Sequence, residues 1–446
     1  MFKRKAYSRL LEWKKEWAGS YAALLQGARR VGKSTIVEEF AKNEYRSYIL
    51  IDFSKVRKDV LALFEDISDL DLFFTKLQSF MGKTLYRRES VIVFDEVQLA
   101  PLARQSIKHL VKDGRYDYIE TGSLISIKKN VKNIVVPSEE IKIDVHPMDY
   151  EEFLWATKED GAGTFANLKA VAASKKKLGD AVNRKLMADF RLYMAVGGMP
   201  QAVEAFVQKK NFQQIDFIKK KILELYMDDF RKIDASGRVS MIFNAVPSQL
   251  AMKRKHFMLS QAVGKKRTTK DEELLSDLID SKTVMICHNV NDPSVSLAQT
   301  KSLDTYKLYL ADTGLFTTML FNDGTETNKD IYNKLLADKL PANLGYLYEN
   351  AVAQAIKAMG KDLYYHTWQK DNSTHSYEVD FLIQDRAKLI AVEVKSSAAK
   401  NHESIDAFSQ KYGRHISRRI LFSQQDTDND KDLELKPVYM TSVFLN

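Results

Sequence analysis

The 446-residue chain has one cysteine, Cys287. A lone thiol excludes an intramolecular disulfide and any zinc site built from several thiolates. So little cysteine also fits a reducing cytoplasm. Long apolar runs are missing too. None approaches the ~20 residues that a membrane span requires, so neither a transmembrane helix nor a membrane partner is expected. The opening stretch MFKRKAYSRLLEWKKEW is basic and amphipathic and lacks the unbroken apolar core of a signal peptide. Its Leu10, Leu11, Trp13 and Trp17 fit one side of a helix packed on the domain that follows; a helix lying on a membrane surface is the alternative. There is no internal repeat and no low-complexity tract.

What is present is an ordinary globular composition. It is 45% hydrophobic and 28% charged with 8 prolines, which excludes a disordered tail or a fibre. At this length two to four domains are expected. The net charge is +9, and basic clusters recur at Lys175–Lys177, Lys219–Lys221, Lys253–Lys255 and Lys265–Arg267. Such a total suits a polyanionic partner such as DNA, although scattered lysines also make an ordinary solvated surface.

Residues 1–150 alternate short apolar runs with helical stretches. The runs are Tyr21–Leu25, Tyr45–Phe53, Ser90–Phe94, Tyr116–Glu120 and Ile141–Val145. This predicts an α/β core with a parallel sheet and helices on both faces. Residues 151–235 change to long 3.6-residue periodicity and predict a helical lid. Within 236–330, Phe257–Val263, a basic turn, Asp271–Ser281 and Thr283–Cys287 give helix, turn, helix and strand, the order of a winged helix-turn-helix. In 331–446 a helix over Leu344–Met359 precedes strands over Leu363–Trp368, Glu378–Ile383 and Leu389–Val394, and 402–417 predicts a further helix.

The segment Gly27-Ala28-Arg29-Arg30-Val31-Gly32-Lys33-Ser34 matches G-x-x-x-x-G-K-[ST], the P-loop, and Thr35 follows it. Glycines let the backbone wrap phosphates with amide N–H groups pointing inward, and the following helix adds its positive N-terminus. Lys33 is expected to reach the β and γ phosphates, and the Ser34 hydroxyl to ligate Mg²⁺. Arg29 and Arg30 lie inside the loop, where they either touch phosphate or stay solvated. A second element agrees. Val91-Ile-Val-Phe94-Asp95-Glu96 is an apolar strand ending in two acids, as a Walker B strand does. It brings Asp95 to the metal shell and leaves Glu96 to polarise the attacking water. The next strand ends Glu120-Thr121-Gly122-Ser123. The hydroxyls of Thr121 and Ser123 either sense the γ-phosphate or belong to an ordinary turn.

Further stretches are VHPMDYEEFL, YMAVGGMPQAV, LYMDDFRKI, YKLYLADTGLF, LYENAVAQ, EVDFLI and AVEVKSS. Together with QGARRVGKST, VFDEVQLAP and ETGSLIS, they make the chain resemble prokaryotic AAA-type ATPases of the archaeal-ATPase kind. That family carries a C-terminal domain of unknown function with a restriction-endonuclease-like end. The resemblance implies ATP rather than GTP, which no base-reading motif here distinguishes. It shows one departure. Family members carry a Gly-Arg pair just before the VHPMDY-like strand, where this chain reads Pro137-Ser138-Glu139-Glu140. If that arginine contacts nucleotide, its loss bears on hydrolysis.

Asp380, Glu393 and Lys395 fit D-x12-E-x-K. In PD-(D/E)XK nucleases two acids on adjacent strands hold Mg²⁺ while the lysine orients water at the scissile phosphate. Glu349, in the preceding helix, matches an accessory acid. The alternative is a fold kept for binding, with Glu393 and Lys395 as an exposed pair. His366 and His375 lie nearby in sequence and are expected to be structural. In the winged-helix segment, Lys265, Lys266, Arg267 and Lys270 precede or open a candidate recognition helix suited to phosphates, or the segment mediates protein contacts.

The expected architecture is therefore a P-loop NTPase core (1–150), a helical lid (151–235), a winged-helix domain (236–330) and a restriction-endonuclease-like α/β domain (331–446). Two functions fit it: an ATP-driven switch acting on DNA with metal-dependent cleavage, or a nucleotide switch that recruits a protein partner while the nuclease fold stays idle. Homo-oligomerisation stays open.

Overall fold

The computed structural model describes residues 1–122, 137–174, 176–252, 254–264, 268–321, 329–339, 345–371, 373–396 and 402–445. The chain divides into two compact units. One is Met1–His146 with Asp280–Lys282, and the other is Pro147–Ile279 with Thr283–Asn446.

The first unit is built on β1 (Ala22–Gln26), β2 (Ser47–Asp52), β3 (Ser90–Asp95), β4 (Asp117–Gly122) and β5 (Glu140–Asp144). They pair in the order β2-β3-β4-β1-β5, and every pairing is parallel. The apolar runs β1, β3 and β4 are buried along their whole length, as strands covered on both faces must be. The helix Lys5–Glu16 buries Ala6, Leu10 and Trp13, an i, i+4, i+7 stripe, so it docks through these residues. Leu11 belongs to another face and Trp17 lies just past the helix end, and they stay 41% and 46% exposed, contrary to the expectation that all four apolar residues pack on one side. Tyr7 joins the helix to Lys33–Glu44 by an edge contact to Phe40 (5.2 Å) and a 2.8 Å hydrogen bond to Glu44.

The second unit holds an eight-stranded mixed sheet. Its strands are β6 (Val284–Val290), β7 (Lys301–Leu310), β8 (Leu363–Gln369), β9 (Ser376–Asp385), β10 (Lys388–Val394), β11 (Ile416–Ser423), β12 (Asp428–Asp430) and β13 (Leu433–Pro437). The order is β12-β13-β11-β10-β9-β8-β6-β7. The sheet takes strands from both sides of residue 330, because β6 pairs in parallel with β8 at Cys287↔Leu363. The helix expected over 402–417 ends at Tyr412, and Ile416 starts β11. Arg418 and Arg419 interrupt the apolar signal of that strand. They are satisfied by ion pairs to Glu434 and Asp406 at 2.7 and 2.8 Å.

Several family-like motifs prove to be backbone clasps. Asp312, in the ADTGL stretch, accepts from the Gly198 N–H (2.6 Å) and the Leu315 N–H (2.8 Å). Asn350 and Gln354, in LYENAVAQ, hold the backbone of Leu310 and Thr313 at 2.9 Å each. Buried backbone groups need such partners, which accounts for these polar residues without any catalytic role. Among the described residues no helix is long and apolar enough to cross a membrane.

Candidate functional site

The carboxyl ends of β1, β3 and β4 bring the first group of expected residues together. β1 runs into the loop 27–32, and the helix Lys33–Glu44 follows. Gly27 sits so close to the strand exit that a Cβ there would meet the Val145 carbonyl oxygen at 2.2 Å. Gly32 adopts φ 94° as it enters the helix, a left-handed conformation that favours glycine. Ala28 and Val31 are buried, whereas Arg29, Arg30 and Thr35 are exposed. The Lys33 ammonium donates to the carbonyls of Gly27 (3.1 Å) and Ala28 (3.0 Å). Burial pulls its pKa down, with Glu96 and Asp95 pulling the other way.

Asp95 is the hub. Its Oδ1 accepts from the Ser34 hydroxyl at 2.8 Å and from the Thr121 hydroxyl, and Thr121 in turn accepts from the Glu96 N–H at 3.2 Å. Three hard oxygens, on Ser34, Asp95 and Thr121, thus lie within one hydrogen-bonded set of the kind that suits Mg²⁺. Glu96 itself has φ 55°, which turns its side chain off the line of the strand, and Gln98 Nε2 donates to its carboxylate. Ser123 lies outside the described residues.

Where the resemblance leads one to expect Gly-Arg, the structure has a different arrangement. Arg104, on the helix Pro101–Asp113, is buried and reaches both Glu120 (2.8 Å) and Glu140 (2.9 Å). Burial first, then the neighbouring acid, pushes the Glu120 carboxyl well up. Burial pushes Glu140 up as well. The guanidinium is spent on these acids, and sequence reasoning had not singled it out.

Residues 20–154 match the AAA domain family. Residues 187–326 and 344–441 match two further families, each described only as a domain of unknown function (DUF8612 and DUF4143). No curated protein matches the chain in a sequence search. Similar solved structures include Cdc6p from Pyrobaculum aerophilum, at 12% identity and a TM-score of 0.23, covering 74% of this chain and 92% of that one. AMPPCP-bound DnaA from Aquifex aeolicus is 13% identical with a TM-score of 0.28, over 63% and 88% of the two chains. A signal transduction ATPase with numerous domains from Pyrococcus horikoshii is 11% identical with a TM-score of 0.27, over 79% and 48%. The matched stretch contains Gly27–Ser34, Asp95, Glu96 and Thr121.

The second group lies on β9, β10 and the helix Gly345–Ala358. Asp380 is buried and accepts from the Val394 N–H at 2.7 Å. Glu393 is buried, its Oε1 accepting from Lys395 at 2.6 Å while its Oε2 has no hydrogen-bond partner. Glu349 accepts from the Tyr309 hydroxyl at 3.4 Å. Two residues missed by sequence reasoning join them: Lys307 is buried and pairs with Glu378 at 2.5 Å. The signal was there, since Lys307 and Tyr309 alternate along β7 as Glu378 and Asp380 do along β9, so each pair shares a face. Burial pushes the Asp380 carboxyl well up, helped by Glu393 and Glu349, and burial also raises Glu393 and Glu349. Burial works against the charges on Lys395 and Lys307, but the surrounding carboxylates outweigh it and raise both.

The orphaned Glu393 oxygen and the buried Asp380 carboxyl are donors of the right hardness for Mg²⁺. Even so, among the described residues no three His, Cys, Asp or Glu side chains are arranged as a metal-ligating group. His366 is buried against Trp368 at 5.2 Å, with Nδ1 2.6 Å from the Val290 carbonyl, and burial lowers its pKa; this is a packed, structural histidine. His375 is exposed. Lys270 is exposed on the helix Thr269–Asp280, whereas Lys265, Lys266 and Arg267 lie outside the described residues.

A stability prediction follows from the acids. With the native Asp380 carboxyl raised above its unfolded value, the folded state holds its proton more tightly, so stability is lost as pH rises through that window. Asp380→Asn removes the cost and keeps an acceptor for the Val394 N–H. Its thermal midpoint should exceed wild type by about 3 °C at pH 8 and by less at pH 5, read by scanning calorimetry. A lower midpoint at pH 8 would show that the charge is not costly.

Proposed function

We propose that this chain is an ATP-driven switch that acts on DNA. The contact set Ser34–Asp95–Thr121–Glu96, at the strand ends of an AAA domain, carries the reading. In this scheme the amides of 27–34 and the Lys33 ammonium bind the phosphates, and Ser34 and Asp95 would hold Mg²⁺, which when bound would supply positive charge beside the phosphate oxygens. Glu96 accepts a proton from the attacking water. Asp380 and Glu393, with Glu349 as an accessory acid, would have to draw together to hold a second Mg²⁺, and Lys395 would then orient water at a DNA phosphate. The net charge of +9 and this second polyanion-suited cluster in one chain support the DNA half.

The test is supercoiled plasmid with Mg²⁺ or Mn²⁺ and ATP, using wild type and Lys395→Ala. Wild type should retain and nick the plasmid at moderate salt, and Lys395→Ala should retain it uncut. If wild type neither binds nor cuts, the DNA half falls.

A second reading is favoured by one observation. Lys395 closes on Glu393 at 2.6 Å, and among the described residues there is no three-ligand set, as in a nuclease fold kept for binding. The chain would then bind ATP with little turnover and recruit a protein partner. That reading expects a nucleotide-dependent pull-down that Asp380→Ala leaves unchanged.

A further inference from the structure

Arg4 precedes the first helix and is buried, 4% exposed. A buried guanidinium must have partners, and this one forks onto two backbone oxygens. Nη1 donates to the Val31 carbonyl at 2.9 Å and Nη2 to the His146 carbonyl at 2.6 Å. Val31 is the residue before Gly32 in the phosphate loop. In a trans peptide the C=O and the following N–H point in opposite directions. Holding the Val31 oxygen toward Arg4 therefore turns the Gly32 N–H the other way, away from Arg4.

The second prong anchors the same loop. His146 follows Val145, whose carbonyl oxygen lies against Gly27 and whose N–H donates to Gln26 at 2.8 Å. Arg4 thus ties the late part of the loop to the strand exit that already confines its first glycine. The adjoining helix keeps Arg4 in place by burying Ala6, Leu10 and Trp13.

We infer that Arg4 is a positioning residue for nucleotide binding, fixing the Val31–Gly32 peptide so that the Gly32 amide is presented to a phosphate. The inference rests on the P-loop reading. It makes Arg4 act on the nucleotide site through the backbone of the loop. A lysine in place of Arg4 keeps the charge but lacks the planar fork whose two nitrogens reach the two carbonyls at once, so it holds the pair less well.

The experiment measures steady-state ATPase kinetics and Mg-ATP affinity for wild type, Arg4→Ala, Arg4→Lys and Lys33→Ala. Loss of a charge-assisted hydrogen bond should raise the ATP Kd and KM of Arg4→Ala about 10-fold. Arg4→Lys should rise about 3-fold, and kcat at saturation should stay within about twofold of wild type in both. A merely structural role would lower the active fraction, and so kcat, without moving KM. Unchanged Kd and KM in Arg4→Ala, with binding lost in Lys33→Ala, overturns the role of Arg4 while leaving the P-loop reading intact. Unchanged binding in Lys33→Ala strikes the P-loop reading itself. If Arg4→Ala yields no folded protein, Arg4→Lys decides: an unshifted KM overturns the inference.

Discussion

Glu96→Gln is expected to bind Mg-ATP within about twofold of wild type and to turn it over about 100-fold more slowly or worse. The substitution keeps shape and hydrogen-bonding reach and removes only the ability to take a proton. Glu96 is held for that task from two sides. Its N–H is fixed by Thr121 at 3.2 Å, within the set that also orients Asp95, and its carboxylate is held by Gln98. Its φ of 55° is uncommon for a residue with a side chain and is sustained by those contacts. Isothermal titration for affinity and phosphate release for turnover separate the two effects. Equal turnover would remove Glu96 from the mechanism.

The second large effect concerns stability. Arg104→Ala leaves Glu120 and Glu140 buried without their shared guanidinium, and breaking a buried pair from one side costs about 3–5 kcal/mol. The thermal transition of the first unit should fall by roughly 10 °C at pH 8. The sign of the pH dependence follows from the raised carboxyls: as pH falls the acids take up protons, the uncompensated charge disappears and the deficit shrinks. The measurement is the melting temperature of wild type and variant at pH 8 and pH 5. A deficit equal at both pH values would mean that lost packing, not lost charge, accounts for it.

How much of this was legible in the sequence depends on the kind of signal. The five strands of the first unit were: β1, β3 and β4 as buried apolar runs that end in polar residues, as β3 does at Asp95, and the edge strands β2 and β5 by their β-branched and alternating apolar residues. The P-loop and its acids were legible because phosphate chemistry demands particular residues at fixed spacing. Arg104 was not. A lone arginine on a helix looks like surface, and its partners lie 16 and 36 residues away on other elements. Arg4 was hidden for the same reason, within a basic stretch that reads as solvated charge. In the second unit Asp380, Glu393 and Lys395 were legible by spacing, whereas Lys307 and Glu378 meet across 71 residues. Strands β11 to β13 escaped because Arg418 and Arg419 and the run Asp428–Asp430 carry charge along them. The charge is tolerated there because Arg418 pairs with Glu434 on β13, Arg419 pairs with Asp406 on the helix Glu403–Tyr412, and Asp428–Asp430 is exposed.

The same residues explain why the family-like motifs differ in meaning. QGARRVGKST and VFDEVQLAP place oxygens and amides around Asp95. By contrast, YMAVGGMPQAV, YKLYLADTGLF and LYENAVAQ satisfy buried backbone through Asp312, Asn350 and Gln354. The first kind should respond to substitution in turnover, the second in folding.

The most direct measurement of the central claim is phosphate release from Mg-ATP by wild type and Glu96→Gln, with bound nucleotide quantified in the same samples. Wild type should bind and hydrolyse ATP, and Glu96→Gln should bind it and accumulate it unhydrolysed. Wild type that holds no nucleotide, or a variant that hydrolyses as fast as wild type, would contradict the account.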